Sequence, residues 1–447
     1  MITLIVTAIW FCTIGIAARK ILGIRDGEHP LDRFAFSFLL GVAVNGITLF
    51  VLGVAGVTIG AGAIVSVFAV ALLVAVIPAR RAAARATSVY PLLPTVVLFI
   101  PFIAIAADAM WVPLRDYDGR GFWVLKAKAI AHEEKIDGPF FQGTTSVNLH
   151  SEYPLLMPLN AATLMRVFTD DDDRRIRWLY ALAALSLCLV VRSIVREHSG
   201  AAPGAWCAAV LPWLPQISTE LEGGALSASS DIPLAALVAG AFASVMRGDD
   251  SSKRDTGIWL AALVLIKSEG ALIAMIIAVV AIAMRLRLRR ESFAGFLSML
   301  LAPPAIAALL LGIWRTRIPF EHGKDYGRLI RTLPSKWTTI PDAAAALFGH
   351  ALDFRHWGAF WIAVLVSVMI VVIRRRGAEG YLALFLTAGI LAPYVVAYTV
   401  TDWDLAVLAG TSANRLLTHV LAPATFLIAA AFWPPEQSAP SPPGSAA

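Results

Sequence analysis

Apolar residues run along this chain in long blocks separated by short polar ones. Residues 2–18, 34–54, 58–78 and 91–110 are almost unbroken apolar runs, and others cover 178–193, 205–219, 231–246 and a last stretch ending near 433. A hydrocarbon core about 30 Å thick takes about 20 apolar residues as a helix. Followed through the whole chain, the blocks predict about thirteen spans in an all-α polytopic membrane protein. No internal repeat of the kind used by inverted-repeat transporters is visible.

The basic residues give the expected orientation, because Lys and Arg gather in cytoplasmic loops. Arg19, Lys20, Arg25 and Arg33 follow the first run, and Arg80, Arg81 and Arg85 follow the third. Arg192 and Arg196, then Arg247, Lys253 and Arg254, then Arg285, Arg287, Arg289 and Arg290, then Arg374, Arg375 and Arg376 mark later cytoplasmic turns. The first run has no basic n-region and no small-residue cleavage site, so it is expected to stay as a span. The N-terminus is then outside. Residues 1–90 supply N-terminal extra helices, 91–433 the main transmembrane unit, and 434–447 a cytoplasmic tail whose Pro, Ser and Ala predict disorder. The expected location is a cell membrane, multi-pass, of the bacterial plasma or inner-membrane type.

Composition agrees. The chain is 58% hydrophobic and only 15% charged, against about 25% charged in a soluble domain. The net charge of +6 belongs to the loops between spans and implies no nucleic-acid partner. Cys12, Cys188 and Cys207 all lie in apolar runs and predict small core residues, with neither a disulfide framework nor a metal motif.

Two segments expected outside, 111–176 and 315–357, are too long to be mere connectors. The first begins with Asp116-Tyr117-Asp118-Gly119-Arg120-Gly121-Phe122-Trp123, just past an apolar run whose one ionisable residue is Asp108. Phe122, Trp123, Leu125 and Ile130, interleaved with Lys126, Lys128, Glu133, Glu134 and Lys135, predict an amphipathic helix lying on the membrane face. Between Arg254 and Arg285 two apolar runs, 257–266 and 271–284, flank Lys267-Ser268-Glu269-Gly270. Ten helical residues rise only about 15 Å, so this tip is expected below the outer surface, facing a protein-lined pocket open to the outside.

Five short pieces, in order, resemble the GT-C superfamily of polyprenyl-phosphate-sugar-dependent glycosyltransferases, such as the protein O-mannosyltransferases and the lipid A aminoarabinose transferases. They are Tyr117-Asp118-Gly119 with Phe122 to Lys128, Glu152-Tyr153-Pro154-Leu155-Leu156-Met157-Pro158, Asp231-Ile232-Pro233-Leu234, Lys267-Ser268-Glu269-Gly270 and Asn414-Arg415-Leu416-Leu417. The resemblance covers about residues 91–433; it departs in three extra spans before the acidic loop and in having no large soluble C-terminal domain. It implies a lipid-linked sugar donor and a glycan, lipid or protein acceptor. No nucleotide motif is visible, and a divalent metal stays open as cofactor.

The resemblance makes Asp118 the general base, with Asp116 supporting it. Such a carboxylate takes the acceptor hydroxyl's proton, worth typically 10²–10⁴-fold. Arg415 and Lys267 would hold the departing lipid phosphate, with Glu269, Asp231, Glu152, Tyr153 and His150 on the substrate side. Plainer readings stand beside these. Asp116 and Asp118 also suit an Asx turn, Lys267 and Glu269 a buried ion pair, Arg415 a snorkelling side chain, and Asp231 a helix cap beside Ser229 and Ser230. His150 and Glu152 suit a surface loop, and His322, Lys324 and Arg328, like Asp170 to Arg175, a solvated charge cluster. The competing class is a lipid or small-molecule transporter or flippase, with ionisable residues along a pathway.

Overall fold

The computed structural model describes residues 2–24, 29–78, 91–143, 150–220, 223–248, 252–287, 293–319, 331–375 and 377–433. The cytoplasmic-tail expectation for 434–447 and the solvated cluster of His322, Lys324 and Arg328 lie outside them, as do the orienting residues Arg25, Arg80, Arg81, Arg85, Arg289, Arg290 and Arg376. The described chain is helical, with no strand among the described residues. Its main helices begin with α1 (Ile2–Leu22), α2 (Pro30–Val54), α3 (Ala61–Val76), α4 (Leu92–Trp111), α5 (Leu125–Glu133), α6 (Leu156–Phe168), α7 (Asp173–Ser199), α8 (Ala201–Val210) and α9 (Asp231–Arg247). They continue with α10 (Ser252–Ile266), α11 (Ser268–Arg287), α12 (Phe293–Arg315), α13 (Ile340–Ala351), α14 (Phe360–Ile373), α15 (Ala378–Val400), α16 (Leu405–Thr418) and α17 (Leu421–Phe432).

By length and apolar composition, seven described helices can cross a membrane: α1, α2, α4, α7, α11, α12 and α15. A bent pair, α16 with α17, makes eight. The expected count of about thirteen is not reached by this measure, because several apolar runs fold into shorter helices. The run 205–219 is the clearest case. Its helix α8 stops after ten residues, at Leu211-Pro212, with a second proline at Pro215. Proline removes a backbone donor and clashes with the preceding turn. At about 1.5 Å per residue, α8 rises only half a bilayer core.

Helix α7 and helix α9 form the centre. The apolar window of α7 is 94% buried, against 22% for α12, and every residue of α9 from Asp231 to Val245 is buried. Helices α2, α4, α8, α9 and α17 pack on α7, and α10 packs between α9 and α12. Outer helices present Leu73, Ile103, Leu309 and Ile373, each more than 60% exposed. Apolar side chains in such numbers on a helical surface are what a lipid environment accepts and water does not.

Ionic layers form at the two ends of this centre. At one end Arg192, near the C-terminus of α7, donates to both oxygens of buried Asp32 at 2.7 and 2.8 Å, and Arg196 reaches the same carboxylate at 2.8 Å. Arg247 at the end of α9 pairs with Glu197 at 3.1 Å and lies over the Phe36 ring. At the other end lie Arg177, the start of α9 and the tip between α10 and α11. The two layers stand about 22 Å apart along α7, fifteen residues at 1.5 Å each.

Helices α1 and α2 meet backbone to backbone. A Cβ on Gly15 would lie 1.7 Å from the Ser37 carbonyl oxygen, and one on Gly41 would lie 1.8 Å from that of Phe11. Overpacking so tight a contact costs about 1–3 kcal/mol or more. Gly41→Val is therefore expected to lower the thermal midpoint of the purified protein, whereas Gly62→Ala, facing open space, leaves it unchanged; a melt that does not distinguish the two counters this packing.

Candidate functional site

The site begins with the buried segment that precedes α9. After α8 ends, residues 211–220 turn back and Gly223 to Ser230 run buried into the first turn of α9. Gly223 has φ +85°, and a Cβ there would lie 2.8 Å from Asp231 Oδ2, so only glycine fits this bend. The segment delivers Asp231 to the bundle interior with no solvent exposure.

Asp231 does not cap its helix, as the plainer reading held. Instead it accepts from four side chains on three parts of the chain. Ser229 Oγ donates to Oδ2 at 3.0 Å, Lys267 Nζ to Oδ1 at 2.8 Å, Arg415 Nε to Oδ2 at 3.0 Å and His419 Nε2 to Oδ1 at 3.0 Å. His419 is held in turn by the Tyr394 hydroxyl at 2.7 Å from Nδ1. Because Nε2–H donates to the carboxylate, Nδ1 is the acceptor for Tyr394 O–H in a neutral ring.

Lys267 is the single non-helical residue between α10 and α11. The hairpin closes tightly, since a Cβ on Gly270 would lie 1.9 Å from the Leu263 carbonyl oxygen. The expected polar tip is therefore present, and Glu269 Oε1 is 3.4 Å from the Lys267 ammonium. Arg415 occupies the last turn of α16, just before the 59° bend into α17. Its Nη1 forms an ion pair with Asp118 Oδ2. Asp118, Asp231, Lys267, Glu269 and Arg415, the first and last of them 297 residues apart in sequence, are thus one cluster.

The first loop is held against this cluster at two points. Glu220 accepts from the backbone N–H groups of Arg115 and Asp116 and from Arg115 Nε at 2.6 Å. Gly119 lies against Ser227, where a Cβ would sit 1.7 Å from its carbonyl oxygen. Asp116 turns back to accept the Gly119 N–H at 2.7 Å. Burial pushes its carboxyl up to about 6, helped by the Asp118 and Glu220 charges and opposed by that N–H and Arg415. Beneath the loop Arg177, fully buried, donates to Asp108 Oδ1 and to the carbonyls of Asp108, Val112 and Leu226.

His150, Glu152 and Tyr153 form a second, adjoining group and are not in the Asp231 cluster. Gly119–Val124 is a π-helical turn that feeds α5. Helix α5 does not lie free on a membrane face: Lys126, Ala127, Ile130 and Ala131 are buried against the protein, and α5 packs on α6. Lys126 Nζ donates to the His150 carbonyl and lies 5.8 and 5.3 Å from the Trp123 and Tyr153 ring centres. His150 stacks on Tyr153, meets Phe122 edge-on, and lies 3.4 Å from Glu152. Phe122 in turn meets exposed Tyr117, beside Asp118.

Sequence reasoning missed Arg177, Glu220, Tyr394 and His419, and it gave Lys126 and Ser229 no role in the site. His419 carried a signal, lying four residues after Arg415 and so on the same helix face. Glu220 stands in a polar stretch between two apolar blocks. Among the described residues no group of three or more His, Cys, Asp or Glu side chains is disposed to hold a metal ion. Two described grooves are separate from the cluster: an apolar one of about 450 Å³ between α1, α2 and α3, and one of about 390 Å³ between α4 and Pro212-Trp213 with Asp108 at its rim. No family model, curated protein or solved structure matches the chain.

Burial of Lys126 lowers its ammonium to about 7, the Glu152 charge opposing the shift. Between this value and the ordinary lysine value near 10.5 the unfolded chain binds one proton more than the folded chain, so stability rises with pH. The cost of burying the charged form is full below about 7 and fades as pH rises through that window. Wild-type thermal midpoints are therefore expected to gain on those of Lys126→Met from pH 7 to pH 9. Parallel profiles would remove the buried-ammonium assignment.

Proposed function

We propose that this chain is a membrane-embedded inverting glycosyltransferase, moving a sugar from a polyprenyl-phosphate donor to a hydroxyl of a glycan, lipid or protein on the outer side. The observation that carries the reading is the ion pair between Asp118 and Arg415, 297 residues apart, with Lys267 fixed beside them by Asp231. A candidate base and two cations therefore converge at one end of the bundle.

In the proposed reaction the acceptor oxygen attacks the anomeric carbon while the bond to the phosphate oxygen breaks. Asp118 takes the hydroxyl proton, and the lipid phosphate leaves with the negative charge it gains. Arg415 and Lys267 stabilise that charge as donors held in a water-poor setting. Attack opposite the phosphate inverts the anomeric centre, and carboxylate charge near the ring favours the oxocarbenium-like transition state. Asp231 and Glu269 hold the cations. Asp116 shapes the loop around Gly119, and Tyr117, Phe122, His150 and Tyr153 offer ring faces for a sugar or acceptor, with Glu152 beside them.

The transporter reading calls for ionisable residues strung along a path. The clustering of ion pairs at two ends of α7, with apolar packing between, favours the enzyme.

Release of polyprenyl phosphate from a polyprenyl-phosphate sugar by the purified protein, in the presence of a hydroxyl acceptor, tests the reading. Asp118→Asn is expected to lose at least about 10²-fold in turnover while keeping its thermal midpoint. Full activity in that variant removes Asp118 as base, and no release by any form removes the transferase.

Orientation is tested separately. Gln142 and Thr338 are exposed at the same end as the cluster, whereas Cys188 and Cys207 are buried. Single cysteines at 142 and 338 are expected to react with an impermeant thiol reagent in intact cells. Reaction only after permeabilisation would reverse the topology.

A further inference from the structure

Lys267 and Arg415, the two cations of the cluster, face three carboxylates: Asp118, Asp231 and Glu269. A phosphate arriving here meets cations that are already paired, so it competes with the carboxylates for them. How each carboxylate is held decides which one yields. Asp231 is fully buried and accepts from four side chains, and releasing it would strand a charge in the interior. Glu269 sits two residues from Lys267 in the first turn of α11, so it travels with the ammonium it pairs with.

Asp118 differs from both. Arg415 is its ion-pair partner, 31% of its side chain is exposed, and it stands at the N-terminal end of the helical turn that feeds α5. Arg415 holds Asp118 through Nη1 and Asp231 through Nε. A guanidinium has five N–H donors in a rigid fork. It can exchange its Nη partner while Nε stays on Asp231.

We infer that Arg415 gates the base: without donor it sequesters the Asp118 carboxylate, and the donor phosphate takes over the guanidinium and frees Asp118 for the acceptor's proton. The inference rests on the glycosyltransferase reading and supplies its regulation. The exchange makes and breaks no covalent bond; one ion pair replaces another. With Asp118 Oδ2 engaged by Arg415 Nη1, an acceptor that arrives before the donor has to compete with the guanidinium for the carboxylate. Binding is thus ordered, donor first.

The test is binding of a polyprenyl monophosphate to the full-length protein in detergent, with uncharged polyprenol and inorganic phosphate as the other probes. Wild type is compared with Asp118→Asn, Asp118→Ser and Arg415→Ala, each checked by thermal melt. Both Asp118 variants are expected to bind polyprenyl monophosphate about 2- to 5-fold more tightly than wild type, the change for losing a competitor in a part-exposed pair. Arg415→Ala is expected to bind it more weakly, and polyprenol binding to stay the same throughout. If wild type binds the phosphate through Arg415 but both Asp118 variants bind it equally or more weakly, the gate is wrong and the donor reading stands. If wild type prefers the phosphate lipid no more than polyprenol, and Arg415→Ala changes nothing, the donor reading itself falls. Tightening confined to inorganic phosphate overturns the assignment of a lipid headgroup.

Discussion

A carboxylate taken wholly out of water has to be matched on every side, and Asp231 is such a group. Desolvating it without partners would cost several kcal/mol. That constraint explains why the chain draws a lysine from a hairpin tip, an arginine and a histidine from the bent α16–α17 pair, and a serine from the segment before α9. The donors come from three separate parts of the chain, so matching the charge also sets where those parts meet. The short half-span α8 and the buried stretch after it exist in this geometry to bring Asp231 to depth. Arg177 does comparable work one layer away, where its guanidinium ties the end of α4 to the segment leading to α9.

The opposite end of the bundle is built on the same physics with a different outcome. Asp32 is also fully buried, but Arg192 and Arg196 saturate it at short distance with both arginines on α7. These two arginines come from one helix, one turn apart. Such a pair is a staple. In the Asp231 cluster, by contrast, a cation is shared with a part-exposed carboxylate at the start of a helical turn, and a shared cation can change partners.

Much of this was legible in the sequence. The apolar blocks placed α1, α2 and α4 to within a few residues, because lipid imposes length and composition together. Lys267 at a hairpin tip, and Asp118, Asp231 and Arg415 near one face, were also readable. Pairing could not be read. The sequence offers no measure of which charges touch, so Arg415 and Lys267 looked free to hold phosphate while they in fact share Asp231. The run 205–219 misled because its apolar content outweighed Pro212 and Pro215 in the reading, whereas the backbone obeys the prolines. Lys126 looked like the wet side of an amphipathic helix; its aliphatic stem and the rings of Trp123 and Tyr153 make burial tolerable. His419 sits in an apolar stretch, and only its spacing from Arg415 could have marked it.

The turn between α10 and α11 is a single residue, and that residue is Lys267. Helices that reverse over one residue, with Gly270 wedged on the Leu263 carbonyl, have no slack. Adding or deleting a residue in either limb would rotate the remainder of the hairpin by about 100° and swing the ammonium off Asp231. This part of the chain can therefore drift by substitution but not by changes in length, and the spacing between Leu263 and Gly270 is a fixed ruler within an otherwise permissive apolar sequence.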